Sequence, residues 1–247
     1  MVMRMLVTRP EPGASAFAEQ LRSIGVEPLV SPLMAYEPET ESLPPLDGMQ
    51  AFVFTSSEGV RAYNRLGGAP DRPAFAVGES TATKLVESGF TKVHRAGGDV
   101  ASLAELLSTQ LKPEGGPVAH LSGADVAGDL AGSLRGSGLE LHRYKLYKAL
   151  TVQSLPEVAD DAIRTRTVDA AAFFSPRTSA TFVTLSKQAG LSGQLGFLSA
   201  FCLSKAVADV FKERTRWLDL YIAKEPTMAS LLELIKQGAS SRVPDGK

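Results

Sequence analysis

Two stretches decide the architecture: "AFVFTSSEGV" from Ala51 to Val60, and "AAFFSPRTSA" from Ala171 to Ala180. Each is a short apolar run that stops at small hydroxyl residues, after which apolar spacing of three and four takes over. That pattern is a strand running through a turn into a helix. Neither stretch holds a strong nucleophile beside a base, a metal ligand or a coenzyme fingerprint. A unit met twice in this way raises the question of whether the chain is built twice.

Working outward, further pairs appear in the same order. "LRSIGVE" from Leu21 answers "LRGSGLE" from Leu134, each closing a helix before a new extended segment. "FAVGESTATKL" from Phe75 answers "FCLSKAVADVF" from Phe201. "DVASLAELL" from Asp99 answers "TMASLLELI" from Thr227, with Asp99 and Thr227 both placed as helix N-caps. In the first half, strands are expected near Met5–Thr8, Ala51–Thr55, Ala74–Gly78 and Lys92–Ala96, each leading into a helix. Strands separated by helical patterns predict an α/β fold of parallel sheets with helices on both faces.

Two segments read differently. "PLVSPLMAYEP" (Pro28–Pro38) and "LELHRYKLYKAL" (Leu139–Leu150) are extended and end each half's first βα unit. In the second, period-two alternation puts Arg143, Lys145 and Tyr147 on one face and His142, Tyr144, Leu146 and Lys148 on the other. Polar atoms on both faces suit a connector between domains better than a central strand.

The 247 residues can bury a generous core as one large domain or two of ordinary size. A net charge of −1 gives no basic field, which argues against a nucleic-acid partner. The single Cys202 excludes an internal disulfide and agrees with a reducing compartment. No apolar run is long enough to span a bilayer, and "MVMRMLVTRP" lacks the features of a signal peptide. The chain is expected to be cytoplasmic and monomeric, with "GASSRVPDGK" as a loose C-terminal tail.

In open parallel sheets, ligands bind beyond the carboxyl ends of the strands, where helix N-termini gather. The residues expected there are Thr8, Arg9, Thr55, Ser56, Ser57, Gly78, Ser80, Thr81, Ser122, Gly123, Ser175, Pro176, Arg177 and Ser204. They are mostly small or hydroxyl-bearing, so a ligand can approach first-turn N–H groups, which attract anions. Any one such turn is also explained as an ordinary N-cap, and a lone Arg as a surface ion pair. Their repetition points to a ligand with several anionic groups, held mostly by backbone. His94, His120 and His142 have no carboxylate or Cys at ligand spacing, so no metal site is expected. Cys202, in "AFCLS", reads as a buried small hydrophobe. "AVGEST" is neither a dinucleotide fingerprint nor a phosphate-binding loop.

Together, "LVTRPEPGASAFAEQLRSIGVEPLVSPLMAYEP", "FVFTSSEGVRAY", "FAVGESTATKLVESGF", "FFSPRTSATF" and "LYKAL" resemble the uroporphyrinogen-III synthase family, over about Met5 to Ile235. The resemblance implies two doubly wound, flavodoxin-like α/β domains joined by a two-stranded connector, with the active site in a cleft between them. The first βα unit of each half would complete the other half's sheet. One domain would be residues 1–34 with 148–247 and the other 35–147, with connectors at about 33–38 and 143–150.

The resemblance also implies a reaction without a cofactor. Linear hydroxymethylbilane, a polyanionic tetrapyrrole, loses its hydroxyl and closes with inversion of its last ring to uroporphyrinogen III. Tyr147 in "LYKAL" matches the family's cleft tyrosine, placed to assist departure of the hydroxyl as acid or hydrogen-bond donor. A tyrosine packing between domains is the plainer reading of the same residue. Thr81 matches the threonine of the family's G-x-x-T turn, and Ser56 and Ser175 its two post-strand serines. Departures are Ser204 for Gly and Val207 for Thr in "LSKAV", and Glu58 where some relatives carry a basic residue. A non-catalytic binder or regulator sensing a polyanionic small molecule is the competing reading.

Overall fold

The computed structural model describes residues 2–211 and 215–240. The chain opens with β1 (Arg4–Val7), α1 (Gly13–Ser23), β2 (Glu27–Val30) and β3 (Met34–Pro38). Three strand-to-helix steps follow: β4 (Ala51–Phe54) to α2 (Ser57–Arg65), β5 (Ala74–Ala76) to α3 (Glu79–Glu87), and β6 (Val93–Arg95) to α4 (Val100–Gln110). Next come β7 (Val118–Gly123), the short α5 (Leu130–Ser133), the long β8 (Leu141–Thr151) and α6 (Glu157–Arg164). Three more steps end the chain: β9 (Ala170–Phe173) to α7 (Pro176–Gln188), β10 (Ser199–Cys202) to α8 (Lys205–Asp209), and β11 (Asp219–Ile222) to α9 (Met228–Ser240).

These elements form two sheets, ordered β11-β10-β9-β1-β2 and β3-β8-β7-β4-β5-β6. The chain divides into two compact units: residues up to Ala35 with those from Leu150 onward, and Tyr36–Ala149. In the first unit, β1 pairs in parallel with β2 and β9, and β10 with β9 and β11. In the second, β4 pairs in parallel with β5 and β7, β5 with β6, and β7 with β8. The first sheet therefore holds three consecutive strands, β9 to β11, plus the β1–β2 pair from the start of the chain, and the second holds the six consecutive strands β3 to β8.

Both sheets are buried on two faces, because alternate side chains of a strand point to opposite sides. In β9, Ala171 and Phe173 join one apolar cluster, while Ala170 and Ala172 join another. In β4, Phe52 and Phe54 join one cluster, while Ala51 and Val53 join the other. Around Phe52 and Phe54, the rings of Tyr63 and Phe90 meet at tilted and edge-on angles. Such pairs add to the stabilisation from buried area alone.

The paired stretches of sequence occupy matching places in the two sheets, with one adjustment. Ser56 is the N-cap of α2 and Ser175 the N-cap of α7, each accepting from an N–H of its first turn. Ala51 therefore corresponds to Ala170, one residue earlier than the Ala171 at which the two quoted stretches align. The cap sets this register, since only the residue before the first turn can reach that turn's donors. Gly78 matches Ser204 as the residue before α3 and α8. Asp99 and Thr227 accept from Ser102 N–H and Ser230 N–H as expected of caps.

Three expectations are corrected. The segment at Leu139–Leu150, read as a connector rather than a central strand, forms β8, which lies between β3 and β7. It pairs with β7 from Leu141↔Val118 to Tyr147↔Gly123. Its charged residues are tolerated because Lys145 is exposed and the Arg143 guanidinium donates to the Ser122 hydroxyl and to the Gly123 and Ala124 carbonyls. The two-face assignment fails beyond Lys145. Ser122 faces Lys145 and Gly123 faces Tyr147, so Leu146 is an extra residue and the alternation resets. Leu146 and Tyr147 consequently share one apolar cluster. Finally, Gly238–Ser240 of the expected tail belong to α9, where a side chain at Gly238 would meet the Phe201 ring at 2.9 Å. The rest of that tail, residues 241–247, lies outside the described residues. Among the described residues no helix is long and apolar enough to cross a membrane.

Candidate active site

The strand β4 hands over to α2 through Thr55 and Ser56. Ser56 is extended (φ −158°, ψ 151°), and its hydroxyl accepts from Gly59 N–H at 3.0 Å. One first-turn donor is thus used, while the N–H groups of Ser57 and Glu58 have no partner within the helix. Ser57 donates its hydroxyl to the Ser80 carbonyl at 3.1 Å, tying the start of α2 to that of α3. Burial lifts the Glu58 carboxyl above the ordinary carboxylate range, and Arg61, 3.4 Å away, partly opposes this.

Tyr147 reaches the same turn from β8. Its phenol oxygen lies 2.8 Å from the Ser56 hydroxyl, and the Tyr36 ring meets its ring edge-on at 5.4 Å. Burial raises its pKa above 10; the Ser56 hydrogen bond lowers it and the Glu58 charge raises it further. The phenol is therefore a protonated donor throughout the neutral range. Gly123 makes this position possible. A side chain there would come within 2.8 Å of the phenol carbon and 3.0 Å of its oxygen.

Ser56, Gly123 and Tyr147 share one cavity of about 530 Å³ with Thr55, Val77, Gly98, Asp99, Val100 and the loop Asp125–Gly128. It lies past the carboxyl ends of β4, β5, β6 and β7, with Tyr147 reaching it from within β8, and the strand order reverses there between β4 and β7. Ligands of open α/β sheets collect at such a switch point.

Other expected residues stand around it. Gly78, preceding α3, makes no side-chain cap, and a Cβ on it would lie 3.5 Å from Gly98 Cα, so this helix end is left open. Ser80 is exposed and Thr81 buried in the first turn of α3. Ser122 is fully buried and accepts from Arg143 Nε at 3.0 Å, so its hydroxyl serves the strand end rather than the cavity.

Thr8, Arg9, Ser175, Pro176, Arg177 and Ser204 belong to the other unit. Thr8 is buried and donates to the Ala172 carbonyl at 2.7 Å, a bond that staples β1 to β9. Arg9 stacks on the Phe174 ring at 4.7 Å and approaches Met228 Sδ at 3.8 Å. The Ser175 hydroxyl accepts from Thr178 N–H at 3.1 Å. Pro176, first in α7, has no N–H to offer, so it can only fix the turn. Arg177 lines a separate groove of about 480 Å³ with Gln153 and Gln188. Ser204 makes no side-chain cap at α8.

Four contributors escaped the sequence reading: the loop Asp125–Gly128, Asp99 as a cavity residue, His120 and Arg143. His120 is buried on β7, its Nε2 3.1 Å from Thr55 Oγ1. Burial and the Arg143 charge hold its pKa down at about 4, so it is neutral at physiological pH. Arg143 donates to the Gly123 and Ala124 carbonyls at 2.7 and 2.6 Å. One signal was present: a lone histidine in the apolar run "VAHLSG". Cys202 is buried as expected, with its thiol pushed up to about 12.

These features define a parallel-sheet α/β protein with a cavity at its strand ends and a tyrosine beside a helix cap. A family model described as uroporphyrinogen-III synthase HemD matches residues 15–233, and the chain belongs to that family of cyclising lyases of haem biosynthesis. The crystal structure of uroporphyrinogen-III synthetase from Helicobacter pylori 26695 aligns with 96% of this chain and 99% of its own, at 18% identity and a TM-score of 0.62. A mutant uroporphyrinogen III synthase from the extremely thermophilic bacterium Thermus thermophilus aligns over 97% and 100%, at 20% identity and a TM-score of 0.55. At such identities the likeness bears on the fold. No curated protein matches the chain significantly. Family membership agrees with the resemblance in the sequence and does not favour a non-catalytic binder.

Proposed function

We propose that this chain converts linear hydroxymethylbilane into uroporphyrinogen III and water, closing the macrocycle with inversion of the last pyrrole ring. Membership of the synthase family supports the reaction. The observation that carries the site is the Tyr147 phenol on the Ser56 hydroxyl, at 2.8 Å, in the strand-end cavity.

The chemistry follows from those two oxygens. Ser56 accepts from Gly59 N–H, so its own proton is available to Tyr147, and the phenol proton is then turned toward the substrate. Departure of hydroxide from a pyrrolylmethanol leaves a cation on the methylene carbon, delocalised into the ring. A donor at the leaving oxygen lowers that barrier. The last pyrrole then supplies the electron pair that closes the ring. Holding the two ends together is the larger task, because the linear compound also closes unaided to the wrong isomer.

The substrate's carboxylates are proposed to meet the open helix ends at Ser57 and Gly78, with Ser80 and Thr81 nearby. Arg9, Ser175, Arg177 and Ser204 are proposed as further substrate contacts, and Thr8 and Ser122 as supports for strand ends. The two units are proposed as flavodoxin-like domains joined through β3 and β8. The order β2-β1-β9-β10-β11, which reads 2-1-3-4-5 along its own chain, supports this. The protein is proposed to act as a cytoplasmic monomer on this small molecule, without nucleic acid or membrane. Supplying hydroxymethylbilane and separating the uroporphyrin isomers after oxidation tests the reaction; isomer I alone, at the spontaneous rate, refutes it.

A further inference from the structure

β7 is a central strand whose six residues are all buried, and its third is His120. Val118 of β7 faces the cluster under α4 and α5, whereas Ala119 and Leu121 face the other core. Alternation puts the His120 imidazole on the α4–α5 side, where a polar group is out of place unless it has a partner. Its partner is Thr55, whose Oγ1 lies 3.1 Å from Nε2. A small chamber of about 180 Å³, lined in part by His120, Arg143 and Thr55, sits there. Thr55 also lines the main cavity of about 530 Å³, as do Val100 and Val126–Gly128, so the two spaces adjoin.

Arg143 lines that chamber. Its guanidinium donates to the Ser122 hydroxyl at 3.0 Å and to the Gly123 and Ala124 carbonyls, which pins the end of β7 and the start of the cavity loop. With three protein acceptors on this cation, the imidazole is left to serve Thr55 alone among the contacts of the chamber. A neutral imidazole carrying its proton on Nε2 donates to Thr55 Oγ1, and the threonine's own proton then points elsewhere. Thr55 lines the main cavity, so that proton can be offered there.

We propose that His120 is a positioning residue of the synthase reaction: it locks the Thr55 hydroxyl as a donor into the strand-end cavity, where that hydroxyl holds one carboxylate of the substrate. The inference rests on the synthase reading above, since it needs an anionic substrate in this cavity. It gives a role to a histidine that neither donates to the leaving hydroxyl nor touches the substrate.

The test measures kcat and KM with hydroxymethylbilane for His120→Leu, Thr55→Val and the double variant, alongside wild type. Each single variant is expected to lose about tenfold in kcat/KM, mostly through KM, as for one hydrogen bond to a charged group. The double variant is expected to be no worse than Thr55→Val, because His120 has nothing left to orient. Wild-type kcat/KM in His120→Leu, or an equal loss on adding it to Thr55→Val, overturns the proposal. Should His120→Leu not fold, His120→Gln and His120→Asn carry the comparison. The Gln amide nitrogen reaches the Nε2 position and is expected to retain activity, while the shorter Asn is expected to lose it; equal activities overturn the proposal. Failure of the synthase reading is distinct, for then the wild-type protein itself makes no isomer III.

Discussion

The phenol oxygen of Tyr147 lies 2.8 Å from the hydroxyl oxygen of Ser56, 91 residues away in sequence. Tyr147 is on β8 and Ser56 follows β4, with β7 between them in the sheet. The tyrosine can cross because the residue opposite it on β7 is Gly123. Three strands thus converge on one hydrogen bond, and each contributes a residue of a different kind.

Gly123→Ala tests that crossing. The added methyl would stand 2.8 Å from the phenol carbon, so the ring must move. A displacement near 1 Å at a reacting group costs on the order of a hundredfold in rate. We expect kcat for isomer III to fall by about that factor while the fold is kept. Turnover equal to wild type, beside an unchanged unfolding midpoint, would show that the tyrosine's position is not critical.

Ser56→Ala removes two bonds at once, the cap to Gly59 N–H and the contact to Tyr147. Loss of an N-cap costs about 1 kcal/mol, which urea denaturation should register. Activity is expected to fall further than that loss of stability explains, since the phenol also loses its orientation. Ser56→Thr keeps the hydroxyl and is expected to recover most of both.

The stability of the protein should carry the mark of His120. Unfolded, the imidazole binds a proton near its ordinary 6.5, but in the fold, beside Arg143 and out of water, it does so only at about 4. Between these values the unfolded state holds more protons, so stability rises with pH. The contribution, about 3 kcal/mol, is complete above the unfolded value and lost as pH falls through the folded one. Urea titrations from pH 7 to 4 should show a steeper decline for wild type than for His120→Leu. Parallel curves would mean that the imidazole is hydrated or charged in the fold.

Cys202 provides a check on the core. It is fully buried, and burial alone pushes its thiol up to about 12. A thiol reagent at pH 8 should label the native protein only at the rate of unfolding, and the urea-unfolded chain at once. Rapid labelling of the native form would contradict the packing of β10.

Much of this was legible in the residues. Runs such as Ala51–Phe54 are too short and too apolar for anything but buried strands, and Ser56, Asp99 and Ser175 announce helix starts by their chemistry. What escaped is of another kind. The extra residue at Leu146 is a matter of pairing between strands, and no periodicity within β8 records it. The one-residue slip between Ala51 and Ala170 arises because caps set register where apolar runs of alanine and phenylalanine are interchangeable. Thr8 and Pro176 fitted the pattern of strand-end binders, yet one spends its hydroxyl on β9 and the other has no N–H. His120 was weighed only as a metal ligand, because its partner Thr55 is 65 residues distant.

The central claim is that the Tyr147 donor, seated on Ser56, drives closure of hydroxymethylbilane to the inverted isomer. The direct measurement is the isomer ratio and rate from hydroxymethylbilane, with wild type and Tyr147→Phe side by side. Wild type should yield isomer III. Tyr147→Phe should bind product nearly as well but turn over at least about tenfold more slowly, so that spontaneous isomer I dominates. Isomer I alone from wild type, or undiminished isomer III from Tyr147→Phe, would contradict the account.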